Sequence, residues 1–201
     1  MLDSIFLAAE MAAIGMGLEK STFTSRMNLG PHLLAPTASD LNKYKIGTAF
    51  AGFHYDLNFI TIHGKSRYPG LFLWTREWQK QPVSIPAGCL LLQAGIMFEQ
   101  FTGGYVMAGY HEVIYTEQTQ QVIDKKLEEN KNGGRNILWR ISSTLFGHLR
   151  YDVDLSPLEE MKELYNKENI EKGKYKKMTA HEKLMEELMA INLAPKMTIE
   201  Q

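Results

Sequence analysis

Residues 47–64 read GTAFAGFHYDLNFITIHG, and the fold turns on how this stretch is read. Aromatic, β-branched and small residues dominate it, a composition that suits a half-buried pleated surface better than a helix. In a strand, residues two apart project from the same face. His54 and Asp56 therefore point together, while Phe53, Tyr55 and Leu57 point the other way. A carboxylate facing inward beside an imidazole is costly unless something positive pairs with it. A divalent cation satisfies both side chains at once.

Working outward, β signal dominates from Thr48 to about His148. We read strands at 31–36, 48–56, 58–63, 70–75, 83–86, 89–94, 105–115 and 136–146. Gly64, Pro69-Gly70, Pro86, Gly88, Gly95 and Gly103-Gly104 punctuate them. "TASDLNKYKI" (37–46) reads as a loop. Many short strands with such turns predict a sandwich, barrel or jelly roll. Helices are expected at 3–18 and at 116–130. Two more are expected in the tail, one starting at Ser156-Pro157 and one capped by Thr179, joined by an exposed connector. The division expected is a domain over 1–155 and a helical tail over 156–201.

Composition narrows the class. A 44% hydrophobic and 22% charged chain of 201 residues is ordinary for one soluble domain. The net charge of −1 gives no reason to expect nucleic acid or an anionic membrane as a partner. Cys89 is the only cysteine, which excludes an internal disulfide and favours a reducing, cytoplasmic setting. The opening MLDSIFLAAEMAAIGMGLEKS lacks a basic leader, and Asp3 and Glu10 interrupt its apolar run, so it reads as an amphipathic helix and not a signal peptide. No stretch is long and apolar enough to span a bilayer.

Two ligands seldom make a tight metal site. His111, in the β-like run GGYVMAGYHEVIYT, is the best third candidate. Two histidines and one carboxylate form the facial triad of non-heme Fe(II) oxygenases, which leaves coordination positions open for cosubstrate and dioxygen. Read singly, His54 is a structural histidine and Asp56 a turn residue. A further run, ILWRISSTLFGH (137–148), puts Arg140 and Ser142 on one face and Trp139 and Ile141 on the other. An inward arginine needs an anion, and its planar fork suits a carboxylate, with the Ser142 hydroxyl adding a hydrogen bond. The competing reading is a surface arginine with its stem along the sheet. His32, His63, His148 and His181 have no ligand spacing to the triad.

His54-Tyr55-Asp56, His111 in FTGGYVMAGYHEV (with Thr102 and Gly104) and Arg140-Ile141-Ser142 together resemble the isopenicillin N synthase-like Fe(II)/2-oxoglutarate-dependent oxygenases. YPGLFLWT (68–75) and PVSIPAGCLLLQAG (82–95) resemble the family's intervening strands, and HLLAPTASDL (32–41) resembles a less characterised microbial branch. The resemblance spans about residues 30–148. It implies a mainly β double-stranded β-helix, or jelly roll, with flanking helices. It implies Fe(II) held by His54, Asp56 and His111, with no catalytic residue beyond these ligands, and 2-oxoglutarate held by Arg140 and Ser142. The implied reaction uses O2 to oxidise an unactivated C–H bond of a small organic substrate. An oxidase of isopenicillin N synthase type, which does not use 2-oxoglutarate, stays open, as do a zinc site and a truncated non-catalytic binding protein. Three features depart from the family. No Asn-x-Tyr motif precedes the triad, the interval from His111 to Arg140 is long, and the family's N-terminal region has no counterpart. Oligomeric state is not readable.

Overall fold

The computed structural model describes residues 1–129, 138–165, 171 and 173–194. Helix α1 (Leu2–Gly15) buries Ile5, Ala9 and Ala13, spaced one turn apart, on a single face. It ends where Gly17 takes φ +73°. Gly17 N–H then donates to Ile14 O and Leu18 N–H to Ala13 O, satisfying carbonyls the helix leaves open. A single turn, α2 (Thr24–Met27), follows.

Eight strands come next, with helices interposed: β1 (Leu33–Asp40), β2 (Ala49–His54), β3 (Ile60–His63), β4 (Leu71–Trp74), β5 (Lys80–Pro82), β6 (Leu91–Ala94), α3 (Ile96–Phe101), β7 (His111–Ile114), α4 (Glu117–Glu129) and β8 (Trp139–Gly147). They form two four-stranded antiparallel sheets, ordered β1-β8-β3-β6 and β2-β7-β4-β5. This mainly β, two-sheet arrangement with flanking helices is the jelly roll that the resemblance implies. Apart from the β4–β5 hairpin, successive strands alternate between the sheets, and residues of both line one cavity.

The outer face of the first sheet carries Ile60, Ile62 and Leu145, which join α1, Phe23, Phe59, Phe98 and Phe101 in one buried cluster. Leu155, Leu158, Met161 and Ala180 belong to the same cluster. Burying one such side chain stabilises by roughly 1.5–3 kcal/mol. The space between the sheets is different, for hydroxyls and charged groups share its lining with apolar side chains. Among the described residues no helix is long and apolar enough to cross a membrane.

Several expectations change in detail. TASD (37–40) is not loop but the second half of β1, its polar residues paired with Trp139–Ser142 of β8. The strand expected at 105–115 shortens to His111–Ile114, because Ala108 N–H goes to the Glu99 carboxylate and Gly109 N–H to Ala94 O and not to a strand partner in the β7 sheet. The strand expected at 83–86 lies earlier, at Lys80–Pro82. The start of the strand expected at 136 lies outside the described residues, and Trp139 is the first strand residue observed. The helix expected from Ser156 is a 3-10 turn, Glu159–Met161. Asp154 Oδ1 accepts from both Ser156 N–H and its hydroxyl, and Leu158 N–H donates to Phe101 O, so a local turn and one tertiary bond hold this segment out of a helix. The last helix, α5 (Ala180–Ala190), begins as expected at Thr179, with a reciprocal capping bond to Glu182. The connector before it is partly outside the described residues. Its described part is anchored, with Lys174 Nζ 2.6 Å and Tyr175 Oη 3.1 Å from Glu99 Oε1.

Candidate metal centre

His54 is the last residue of β2 and His111 the first of β7, and the two are paired across the sheet. Their ring centres lie 4.2 Å apart. Asp56 sits two residues beyond His54, where β2 has already ended, yet its side chain returns to the same point. Asp56 Oδ1 is 3.8 Å from His54 Nε2 and 3.8 Å from His111 Nε2. One donor atom from each residue lies within 4.8 Å of the others. The three residues that spacing singled out are thus brought together.

Neighbours fix these side chains. Thr61 Oγ1, fully buried on β3, donates to Asp56 Oδ2 at 2.6 Å, which leaves Oδ1 for the imidazoles. His54 Nδ1 is 2.6 Å from Gly52 O. Carrying the hydrogen there, the ring presents a bare Nε2 toward Asp56. His111 Nδ1 approaches Gly109 O at 3.2 Å and the Gln93 amide nitrogen at 2.5 Å. Burial holds His111 below the usual histidine range, so its ring is a neutral donor of a lone pair at pH 7. Asp56 and His111 are buried, whereas the His54 side chain is 43% exposed, so the cluster opens to solvent on the β2 side.

The cluster faces a cavity of about 590 Å³ between the sheets. Arg140 and Ser142 of β8 line it from the other sheet, as the alternation in ILWRISS predicts, with Trp139 and Ile141 exposed on the outside. Arg140 is only 8% exposed, and its Nε is buried without a hydrogen-bond partner. Burial lowers its affinity for the proton, and no described acidic side chain pairs with it. Glu112, the nearest candidate by sequence, is taken by Lys80 on the other face of β7. A buried guanidinium without a counterion costs several kcal/mol, a cost that an anion in the cavity would offset. Two imidazoles and a carboxylate likewise fit a divalent transition metal.

Among the residues that sequence reasoning missed are four around the site, three of which line the cavity. Thr37 and Ser39 of β1 stand opposite Ser142 and Arg140 in register, and Thr37 Oγ1 is 2.9 Å from Ser142 Oγ. The strand-like alternation Thr-x-Ser was their signal, hidden by a polar composition. Gln93 has no marker of its own. His63, read above as unconnected, has its ring centre 5.7 Å from that of His111 and lines the cavity.

No family description and no curated protein matches the chain. Solved structures do. A full-length Neurospora crassa protein in complex with alpha-KG and thymine superposes with a TM-score of 0.69 at 16% identity, over 94% of this chain and 53% of that one. A 2OG-Fe(II) oxygenase family protein from Caulobacter crescentus gives 0.66 at 24% identity, over 90% of this chain and 53% of that one. The dioxygenase for auxin oxidation in rice gives 0.68 at 15% identity, over 95% and 56%. The chain spans a little over half the length of these proteins. What it shares with them is architecture: it has the jelly-roll fold of the 2OG-Fe(II) oxygenases.

Proposed function

We propose that the chain is a non-heme Fe(II) and 2-oxoglutarate-dependent oxygenase that oxidises an unactivated C–H bond of a small organic substrate. The supporting observation is one cavity with two complementary ends. His54, Asp56 and His111 offer the donor set of a facial triad, and Arg140 offers a buried, unpaired guanidinium. In this reading His54, Asp56 and His111 hold Fe(II), while Arg140 and Ser142 hold the distal carboxylate of 2-oxoglutarate. Bound iron supplies the activation of O2, coupled to conversion of 2-oxoglutarate to succinate. The protein's own share is placement. Thr61 and Gly52 aim two of the ligands, and the sheet walls limit water around the reacting groups. A small-molecule substrate is consistent with the thymine bound to the Neurospora crassa protein.

The test is anaerobic addition of Fe(II) and 2-oxoglutarate, read by the weak visible charge-transfer band of an iron-bound 2-oxo acid. The band is expected in the parent and absent in Asp56→Ala. No band, with zinc bound stoichiometrically, overturns the reading. Oxygen consumption without succinate points instead to an oxidase of the isopenicillin N synthase type. Absence of any metal or 2-oxoglutarate binding points to a non-catalytic binding protein.

A further inference from the structure

We propose that Lys65 and Arg67 form a second anion subsite at the mouth of the cavity, and that the substrate is a small organic acid, a carboxylate or a phosphate ester, held there while 2-oxoglutarate occupies Arg140. The inference rests on the oxygenase reading of the same cavity.

The cavity holds few charges. Among the described residues that line it, Asp56 is the one acid, and Arg140, Lys65 and Arg67 are the bases besides histidine. In the reading above, Fe(II) and the 2-oxoglutarate dianion offset each other, and so do Asp56 and Arg140. Lys65 and Arg67 are left over. Both are exposed, and among the described residues neither has an acidic partner. A cavity with a surplus of one sign concentrates ligands of the other.

The loop that carries them is fixed, which sets them apart from ordinary surface cations. Gly64 N–H donates to Ser143 O at 2.8 Å, so the loop leaves β3 level with the stretch of β8 that bears Ser142 and Arg140. At its other end Ile114 N–H donates to Gly70 O at 2.9 Å. Gly70, at φ +125°, lies so close to the Ile114 carbonyl that a Cβ has no room. One end of the loop is thus tied to each sheet. Between the ends Tyr68 is buried among Tyr115, Ile123 and Leu138, and Thr119 Oγ1 of α4 donates to Pro69 O at 3.4 Å. The long interval between His111 and Arg140 therefore supplies the helix that holds this loop in place. Cations on a pre-set backbone lose less freedom when a ligand binds. Leu71, Val83, Ile85 and Val122 line the same cavity, so the ligand that fits joins an apolar body to an anionic end.

The experiment uses the full chain, loaded anaerobically with Fe(II) and saturating 2-oxoglutarate, with loading followed by the charge-transfer band. Three probes of similar shape are titrated by calorimetry: 3-phenylpropanoate, phenyl phosphate and the neutral 3-phenylpropanamide. At least one acid is expected to bind roughly 10-fold or more tighter than the amide, the effect of one charge-assisted contact. The tighter of the two acids tells a carboxylate from a phosphate ester. Lys65→Gln combined with Arg67→Gln is expected to lose this preference and to keep the parent's affinity for 2-oxoglutarate. Lys20→Gln combined with Lys125→Gln removes as much charge from surface pairs outside the cavity lining, and is expected to keep the preference. Equal binding of acid and amide, no binding of either acid, or a preference that survives Lys65→Gln with Arg67→Gln overturns the inference. A preference lost equally with Lys20→Gln and Lys125→Gln overturns it too. So does an acid that competes with 2-oxoglutarate, or weaker 2-oxoglutarate binding in the Lys65 and Arg67 variant, since the pair then serves the cosubstrate. No band in the parent overturns the oxygenase reading itself, whereas a normal band without acid preference overturns the subsite alone.

Discussion

Asp56 Oδ1 is equidistant from His54 Nε2 and His111 Nε2, at 3.8 Å from each, while Thr61 engages the other oxygen of the same carboxylate. One oxygen serves the cluster and one serves the wall. The two functions are separable by mutation.

Removing the whole carboxylate acts on metal binding. Asp56→Ala is expected to lose the rise in melting temperature that Fe(II) gives the parent under anaerobic conditions. At a free metal concentration a hundred times Kd, that rise corresponds to about 2.7 kcal/mol. Differential scanning fluorimetry with and without Fe(II) measures it, and an equal rise in both proteins contradicts the assignment.

Removing the wall contact acts on stability first. Thr61→Val keeps the shape but leaves Asp56 Oδ2 buried without its donor, since Thr61 is fully buried. Urea unfolding is expected to show a loss of about 1–3 kcal/mol. Fe(II) should still bind, with an affinity lower by roughly 10–100-fold.

Arg140 behaves in the opposite sense. Its charge is buried and unpaired, so replacing it with an apolar residue removes a desolvation cost. Arg140→Met is expected to match or exceed the parent in melting temperature without ligand. It is also expected to lose the stabilisation that 2-oxoglutarate gives the Fe(II)-loaded parent. A large destabilisation of the unliganded variant would mean that the guanidinium has a structural partner.

His148 provides a pH prediction away from the centre. Burial, helped by nearby His32, pushes its pKa down to about 4, from 6.5 in an unfolded chain. His148 N–H donates to His32 Nδ1 at 3.1 Å, which also requires a neutral His32. Between these two values the unfolded state binds more protons, so stability is full above pH 6.5 and falls as the pH drops toward 4. The loss at pH 4 is of order 3 kcal/mol, from 1.36 kcal/mol per unit. Melting curves at pH 7 and pH 5 test it. His148→Phe is expected to lose less stability on acidification than the parent.

What was legible follows from where side chains face. The alternation Trp139-Arg140-Ile141-Ser142 is readable because its outer positions are apolar and its inner ones polar, and the structure keeps that alternation. The same inverted pattern in Thr37-Ala38-Ser39 hides a strand, because polar residues usually mark loops and here they line the cavity between the sheets. His54 and Asp56 share a point, although β2 ends between them, so the two-residue period carries past the strand. Gln93 and His63 were not legible, since both matter only through His111, which lies in the other sheet and comes near them by the packing of the two sheets. The Ser156-Pro157 helix fails for a related reason, as the distant bond from Leu158 N–H to Phe101 O, with a local turn at Asp154, outweighs a good start signal.

Glu99 ties distant parts of the chain into one circuit. Buried at the start of α3, it takes the Ala108 N–H at 2.8 Å with one oxygen and Lys174 and Tyr175 with the other. Ala108 adjoins Gly109, whose carbonyl sits beside the His111 ring. Proteolytic cleavage between Leu155 and Lys174, with release of the downstream fragment, would strand a carboxylate in the interior with one donor left. The loss would be felt two peptide bonds from the imidazole's backbone support, so the Lys174–Tyr175 segment braces the loop that leads into His111.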